Sequence, residues 1–411
     1  MSRRGAPRRL STRHGPGPAV ELVLRVERVA AGGDGIAHHA DGRVAFVRGG
    51  LPNELVKVQI DEQRKDYVKA TVSEIIEPSP ERREPPCVQV AAGCGGCGWQ
   101  HITLEAQREM KREIVVDALR RLGGMADPDV RLGSPLGDLG WRTTVRFSVD
   151  RNGSLGFRAA RSHRTVTTEK CLVSHRLIDD LLPGLRVPGA SELTIRVGAR
   201  TGQRAAWWNP DGPRPAMLPD DVVVGPAASI TEIVHGAQLR VSAGSFFQSS
   251  PEAAEALCDE VRAAAGDLLT AGDGAVVDAY GGIGLFTAVT VPAERRAIIV
   301  EVSASSTADA RHHLAGRDVT IVNSTVEQWT PTAADLVIAD PARSGLGAVA
   351  AERLTVGTNC DRLILISCDA AAAGRDARLL VGYGYDHQGS VVLDPFPHTP
   401  HVEIVSRFDR A

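Results

Sequence analysis

No apolar run in this 411-residue chain approaches the ~18 residues that a bilayer span requires, so a transmembrane helix is excluded. Aromatic residues are scarce, with 5 Trp, 4 Tyr and 8 Phe, which leaves no basis for widespread stacking on nucleic-acid bases. Neither sign of charge dominates. The 47 Lys and Arg against 50 Asp and Glu give a net charge of -3, so any contact with nucleic acid must come from local patches. The start, Met1 to Arg9, lacks the apolar stretch of a secretory signal, and a cytoplasmic protein is expected. Cysteine is odd in number at 7, with Cys87, Cys94 and Cys97 crowded together. That pattern suits metal or catalytic thiols in a reduced compartment better than a disulfide framework. A 43% hydrophobic content is ample for sizeable cores, and the length suggests two to four domains at roughly 100–200 residues each.

The segment 1–18 carries Arg3, Arg4, Arg8, Arg9 and Arg13 without an acid and is expected to be a disordered basic arm. Short alternating apolar runs follow between 19 and 78: Leu22 to Val26, Val44 to Phe46, Val56 to Ile60 and Tyr67 to Val72. Separated by glycine-rich and charged turns, they predict a small OB-like β-barrel. Its Arg43, Arg48, Lys57 and Lys69 fit either a solvated face or contact with RNA phosphates. All five lysines (Lys57, Lys65, Lys69, Lys111 and Lys170) precede residue 171, which favours the N-terminal half for such contacts; a coding bias toward arginine is the alternative. A proline-bounded linker leads to a central domain at 79–245, where His101 to Leu122 has helical spacing and 140–242 is β-rich. Thr144–Val149 and Glu192–Val197 are its predicted strands, and Trp207 and Trp208 fall in a turn-rich stretch.

From 246 onward, helix and strand alternate. Ser250 and Pro251 open a helix to Ala265, and predicted strands lie at Ala275–Ala279, Ala297–Val302, Val319–Val322, Leu336–Ala339, Arg362–Ser367 and Val402–Phe408. This alternation predicts an α/β domain with a doubly wound, Rossmann-like parallel sheet. Its first strand ends in Asp278 and runs into a turn with Gly281, Gly282 and Gly284, where the backbone can approach a ligand. A dinucleotide fingerprint would need a third glycine at Thr287, and Asp278 would repel a pyrophosphate, so NAD is disfavoured. A cationic, phosphate-free nucleoside such as S-adenosylmethionine suits the acidic rim. Glu301 ends the next strand, where its carboxylate can accept both ribose hydroxyls.

Asp340 to Gly345 and Ser367 to Asp369 follow two further strands, and ligands of open α/β sheets bind at such carboxyl ends. Cys368 can serve there as a nucleophile, or be one more small buried hydrophobe. An ionised Asp369 beside it would raise the thiol pKa.

In the order Phe246-Phe247-Gln248, Asp278 to Gly284, Asp340 to Gly345, Ser367-Cys368 and Phe396 to Glu403, the chain resembles the RNA uracil-5-methyltransferase family. The barrel resembles that family's TRAM domain. The resemblance implies a class I S-adenosylmethionine-dependent fold with Gln248, Tyr280, Gly282, Glu301, Thr325 and Asp340 as cofactor contacts, Cys368 as nucleophile and Glu403 as general base. It implies that Cys87, Cys94, Cys97 and Cys171 hold a [4Fe–4S] cluster, as in members acting on large-subunit ribosomal RNA. Cysteine spacing alone fits zinc as well. Residues 99–131 would pack with the catalytic domain at 246–411. The partner implied is RNA, most naturally ribosomal, with no membrane and a monomeric protein. Transfer RNA as substrate, an iron–sulfur oxidoreductase using NAD, and an RNA-binding protein without catalysis are the competing readings.

Overall fold

The computed structural model describes residues 21–411; the basic arm expected at 1–18 lies outside the described residues. The chain divides into two compact units, with the boundary along the sequence between Arg82 and Arg83. In the first, β1 (Glu21–Val29), β2 (Gly35–His38), β3 (Val44–Arg48), β4 (Leu55–Gln63) and β5 (Tyr67–Glu77) close a barrel in the order β1-β2-β3-β5-β4. Alternation sends Leu24, Val26, Val47, Val56, Val58 and Val68 inside. β2 comes from a stretch whose glycines read as a turn. A Cβ on Gly35 would stand 2.7 Å from Val26 Cγ1 and 2.8 Å from the Gly50 carbonyl oxygen, so this strand needs its glycine. Of the basic barrel residues, Arg43 pairs with Asp41 at 2.6 Å, Lys57 with Glu21 at 2.7 Å and Lys69 with Glu62 at 3.5 Å, while Nη2 of Arg48 is buried without a hydrogen-bond partner among the described residues.

The second unit begins with a short helix, Val88–Ala91, followed by the helix Leu104–Arg121 and β6 (Val130–Leu132). A six-stranded sheet follows, built from β7 (Thr144–Val149), β8 (Leu155–Arg158), β9 (Thr165–Thr167), β10 (Glu192–Val197), β11 (Arg204–Asn209) and β12 (Val222–Val224) in the order β12-β11-β10-β7-β8-β9. Trp207 and Trp208 lie on β11, not in a turn. Trp208 sits opposite Leu193 on the core face and Trp207 opposite Thr194 on the other, so each tryptophan covers its own side of the pleat. A hairpin of β13 (Ser229–Val234) and β14 (Ala237–Ser242) leads to the helix Pro251–Ala265. As expected, Ser250 caps that helix, its hydroxyl accepting from Ala253 N at 3.0 Å.

The third sheet uses β15 (Ala275–Ala279), β16 (Ala297–Glu301), β17 (Val319–Asn323), β18 (Ala334–Ala339), β19 (Arg362–Ser367), β20 (Tyr385–Leu393) and β21 (Glu403–Arg410), in the order β17-β16-β15-β18-β19-β21-β20-β6. The strands from β17 to β19 are parallel, and β15 is buried throughout, as the two-sided cover of a parallel sheet requires. The α/β architecture is the expected one, but the sheet is mixed: β21 runs antiparallel between β19 and β20. β6 pairs in parallel with β20, and the helix Leu104–Arg121 packs on the helix Ala370–Gly382. Gly374 allows that approach, since a Cβ there would meet the Ala118 carbonyl oxygen at 2.6 Å. No helix among the described residues is long and apolar enough to cross a membrane.

Candidate active site

The turn after β15 is shaped by backbone conformations that few residues tolerate. Tyr280 has φ +59° and Gly282 and Gly284 have φ +54° and +78°. A left-handed tyrosine at a strand end marks strain held for a purpose. Asp278 beneath the turn is fully buried. One of its oxygens accepts from Thr287 N at 3.1 Å and Thr287 Oγ1 at 2.7 Å, while the other has no hydrogen-bond partner. Burial pushes its carboxyl up to about 7. Thr287 therefore stands at the expected third-glycine position because its hydroxyl and amide hold this acid. Glu301 spends one lone pair of each oxygen on backbone, accepting from Gly282 N at 3.0 Å and Ser303 N at 2.6 Å, which leaves both oxygens able to accept again.

Phe246, Phe247, Gln248, Tyr280, Gly282 and Asp340 line one pocket above this turn. The Tyr280 hydroxyl is buried without a hydrogen-bond partner among the described residues. Neither Glu301 nor Thr325 is among the residues lining this pocket, and Glu301 reaches the turn through Gly282 N. Thr325 lies two positions beyond β17, and its carbonyl accepts from Gln328 N and Trp329 N at 3.2 and 3.0 Å to start a turn.

Cys368 follows the last residue of β19. The register Ser367 opposite Ile404, extended one step, sets Cys368 across from Glu403 at the head of β21. Burial raises the Cys368 thiol to about 11, with the Glu403 and Asp340 carboxylates adding to the rise and the Arg343 guanidinium opposing it. The expected influence of Asp369 is not what lifts the thiol: its carboxylate accepts from Ala372 N at 2.9 Å and caps the helix Ala370–Gly382. Glu403 is 5% exposed, and burial followed by the charge of Asp340 holds its carboxyl well above the usual range. Asp340 is raised in turn by burial and by Asp278.

The loop that delivers Glu403 is anchored by residues that the sequence did not single out for this task. Lys111, fully buried, donates to Asp394 Oδ1 at 2.5 Å and to the Phe396 carbonyl at 3.3 Å. Gln107 accepts from His398 N at 2.7 Å, and Trp99 N donates to the His398 carbonyl at 2.9 Å. Arg343 contacts His401 Nδ1 at 3.1 Å. Arg343 lies inside a quoted motif, whereas Gln107 and Lys111 carry no signal beyond polar residues on the buried stripe of a helix.

Cys87, Cys94, Cys97 and Cys171 all line one further pocket and are half-buried free thiols. Burial raises Cys94, with Cys171 and Cys87 adding to the rise; it lifts Cys97 to about 11, with Cys171 and Cys94 contributing. These mutual effects place the thiols within one another's field. Among the described residues, no three Cys, His, Asp or Glu side chains converge closely enough to hold a single metal ion.

Residues 21–73, most of the barrel, match the family described as the TRAM domain. An uncharacterized RNA methyltransferase of Streptomyces avermitilis is 31% identical over 430 residues, covering 95% of this chain and 98% of its own. The 23S rRNA (uracil(1939)-C(5))-methyltransferase RlmD of Chromohalobacter salexigens is 31% identical over 425 residues, covering 92% of this chain and 87% of its own. Among solved structures, the Pyrococcus abyssi tRNA (uracil-54, C5)-methyltransferase in complex with S-adenosyl-L-homocysteine superposes with a TM-score of 0.73 at 20% identity, over 94% of this chain and 99% of that one. That likeness is one of fold.

Proposed function

The chain belongs to the RNA methyltransferase family that includes the 23S rRNA uracil-C5-methyltransferases, and from this premise we propose that it methylates carbon 5 of a uridine in large-subunit ribosomal RNA through a covalent cysteine adduct. The observation that carries the reading is the placement of Cys368 across from Glu403, with Asp340 of the nucleotide pocket acting on both.

The cofactor pocket suits S-adenosylmethionine, which supplies an electrophilic methyl group on a sulfonium. Glu301 would accept the ribose hydroxyls with its remaining lone pairs, the left-handed turn at Tyr280 and Gly282 would let the backbone meet the ligand, and Gln248 would contact it from the facing segment. The Asp340 carboxylate favours a cation and disfavours a pyrophosphate.

Carbon 5 of uracil is a weak nucleophile. Addition of the Cys368 thiolate to carbon 6 moves the ring's electron pair toward carbon 5, which then takes the methyl. Arg343 is the cation whose field favours that thiolate. Glu403 next removes the proton from carbon 5, the ring double bond re-forms, and the Cys368 sulfur leaves with its bonding pair. A paired base cannot reach this site, so the uridine must be flipped out or already unpaired.

The four cysteines fit a [4Fe–4S] cluster held by Cys87, Cys94, Cys97 and Cys171. All four line one pocket, and cysteine thiolates are the ligands that such a cluster takes. Such a site would fasten the segment that carries Trp99 and, through it, the Glu403 loop.

The test is mass-spectrometric mapping of 5-methyluridine in RNA from cells with and without the gene. A single ribosomal uridine should lose its methyl group without it. Loss confined to transfer RNA would move the substrate, and no change in any RNA would overturn the reading.

A further inference from the structure

Beside the cofactor pocket runs a second cleft, which shares Phe246, Phe247 and Gln248 with it. One wall is the face of the central sheet opposite its core. Two Thr-x-Arg triplets meet there: Thr144 and Arg146 on β7 pair with Arg196 and Thr194 on β10, so each threonine stands across from an arginine. The residues lining the cleft include Arg142, Arg146 and Arg196 and no carboxylate. In a chain with a net charge of -3, this is a strongly asymmetric placement.

Arg196 is the unusual member. It is 6% exposed, yet no carboxylate among the described residues forms an ion pair with it. Its Nε donates to Thr144 Oγ1 at 3.0 Å and Nη1 to the Ser242 carbonyl at 2.6 Å, and its guanidinium lies 5.4 Å from the centre of the Trp207 ring. No hydrogen bond among the described residues engages Nη2. Asp309 is the one carboxylate whose field reaches it, and that acid is already occupied, accepting from Ser242 N, Ser242 Oγ and Ser245 Oγ at 2.8, 2.7 and 2.6 Å. Burial lowers the Arg196 pKa to about 10 despite Asp309. A buried, fixed cation without an ion-pair partner of its own is costly unless a ligand brings the anion.

We propose that Arg196 is the centre of a phosphate site for the RNA strand next to the target uridine, with Arg142 and Arg146 flanking it and Trp207 fixing the guanidinium plane. Resting on the RNA reading above, this inference names where the backbone is gripped. The hydrogen bonds to Thr144 and Ser242 hold the guanidinium before RNA arrives, so little entropy is lost on binding. The absence of carboxylates from the cleft removes the repulsion that a phosphate would otherwise meet.

The test is equilibrium binding of unmethylated substrate RNA across a salt series, with S-adenosylmethionine affinity measured in parallel. Arg196→Gln should weaken RNA binding roughly tenfold and reduce the slope of log affinity against log salt by about 0.7, the loss of one phosphate contact. S-adenosylmethionine affinity should not change, and Arg196→Lys should restore the slope. Arg146→Gln, at an exposed position, should lower the slope in the same way and guards against a misfolded Arg196 variant. Wild-type slope in both glutamine variants would overturn the site. So would a loss of cofactor affinity in place of RNA affinity, since the counter-ion would then be the cofactor's carboxylate. Wild-type protein that binds RNA with these slopes but methylates none would sink the function and leave the phosphate site standing.

Discussion

The Glu403 carboxylate opposes ionisation of the thiol that it faces: after burial itself, it is the largest influence holding Cys368 up at about 11. The two residues sit one step past the last paired residues of β19 and β21, so their proximity is fixed by strand register. In the mechanism proposed above, a base acting on carbon 5 after methyl transfer would have to stand close to the sulfur bonded to carbon 6. On that reading the raised thiol is, after burial, the cost of that closeness in the free protein.

Glu403→Gln should therefore have opposite effects on two measurements. Iodoacetamide labelling of Cys368 in the free protein should show a thiol pKa below that of the wild type, because a negative neighbour is gone. Turnover should fall ~100- to 10,000-fold, the usual worth of a general base, while a radiolabelled protein–RNA adduct accumulates on a denaturing gel. Faster labelling with normal turnover and no adduct would make Glu403 a bystander.

Cofactor affinity should depend on pH through the acids of the site. Asp278 and Asp340 have carboxyl pKa values raised by burial, so part of their population is protonated near neutrality. A sulfonium favours the ionised forms, hence binding releases protons and affinity rises as pH increases from about 5 to 8. S-adenosylhomocysteine lacks the charge and should show a flatter profile. Calorimetry of both ligands in buffers of differing ionisation enthalpy reads the proton count directly. Equal pH profiles for the two would remove these acids from the sulfonium's surroundings.

Local chemistry made much of the framework legible. Ser250 and Pro251 open the helix that they predict, and the turn that follows the strand Ala275–Ala279 lines a pocket with Gln248 and Asp340. What escaped depends on partners remote in sequence. β2 looked like a turn because Gly35 is needed for close approach to Val26 and Gly50, and the antiparallel placement of β21 has no signature in its own residues. Asp369 looked like the thiol's perturber by adjacency, but helix capping claims its carboxylate. Arg196 reads as an ordinary polar position on an alternating strand; only the repeat of Thr-x-Arg on two paired strands could have drawn notice.

The Lys111–Asp394 pair, with exposures of 0% and 7%, should behave as a buried ion pair on which the Glu403 loop depends. Lys111→Met leaves Asp394 buried without its cation and should cost about 3–5 kcal/mol in urea unfolding. Combining it with Asp394→Asn should recover a large part of that loss, because the stranded charge is removed. A single-variant loss below about 1 kcal/mol would mean that water reaches the pair.

The cysteine site offers a test that is independent of catalysis. Cys97 lies two residues before Trp99, whose N–H holds the His398 carbonyl at 2.9 Å, so a group bound by the thiols would brace the Glu403 loop from below. Protein purified without oxygen should be brown and carry about four irons per chain. Cys94→Ser should bleach it and lower the melting temperature, because thiols held together by a cluster would again face only one another's charge. Proteolysis near residues 394–403 should then become faster, a readout that needs neither RNA nor methyl donor. Colourless protein with one zinc would replace the cluster by an ion; metal-free protein with wild-type stability in the Cys94 variant would leave the four thiols without a bound group.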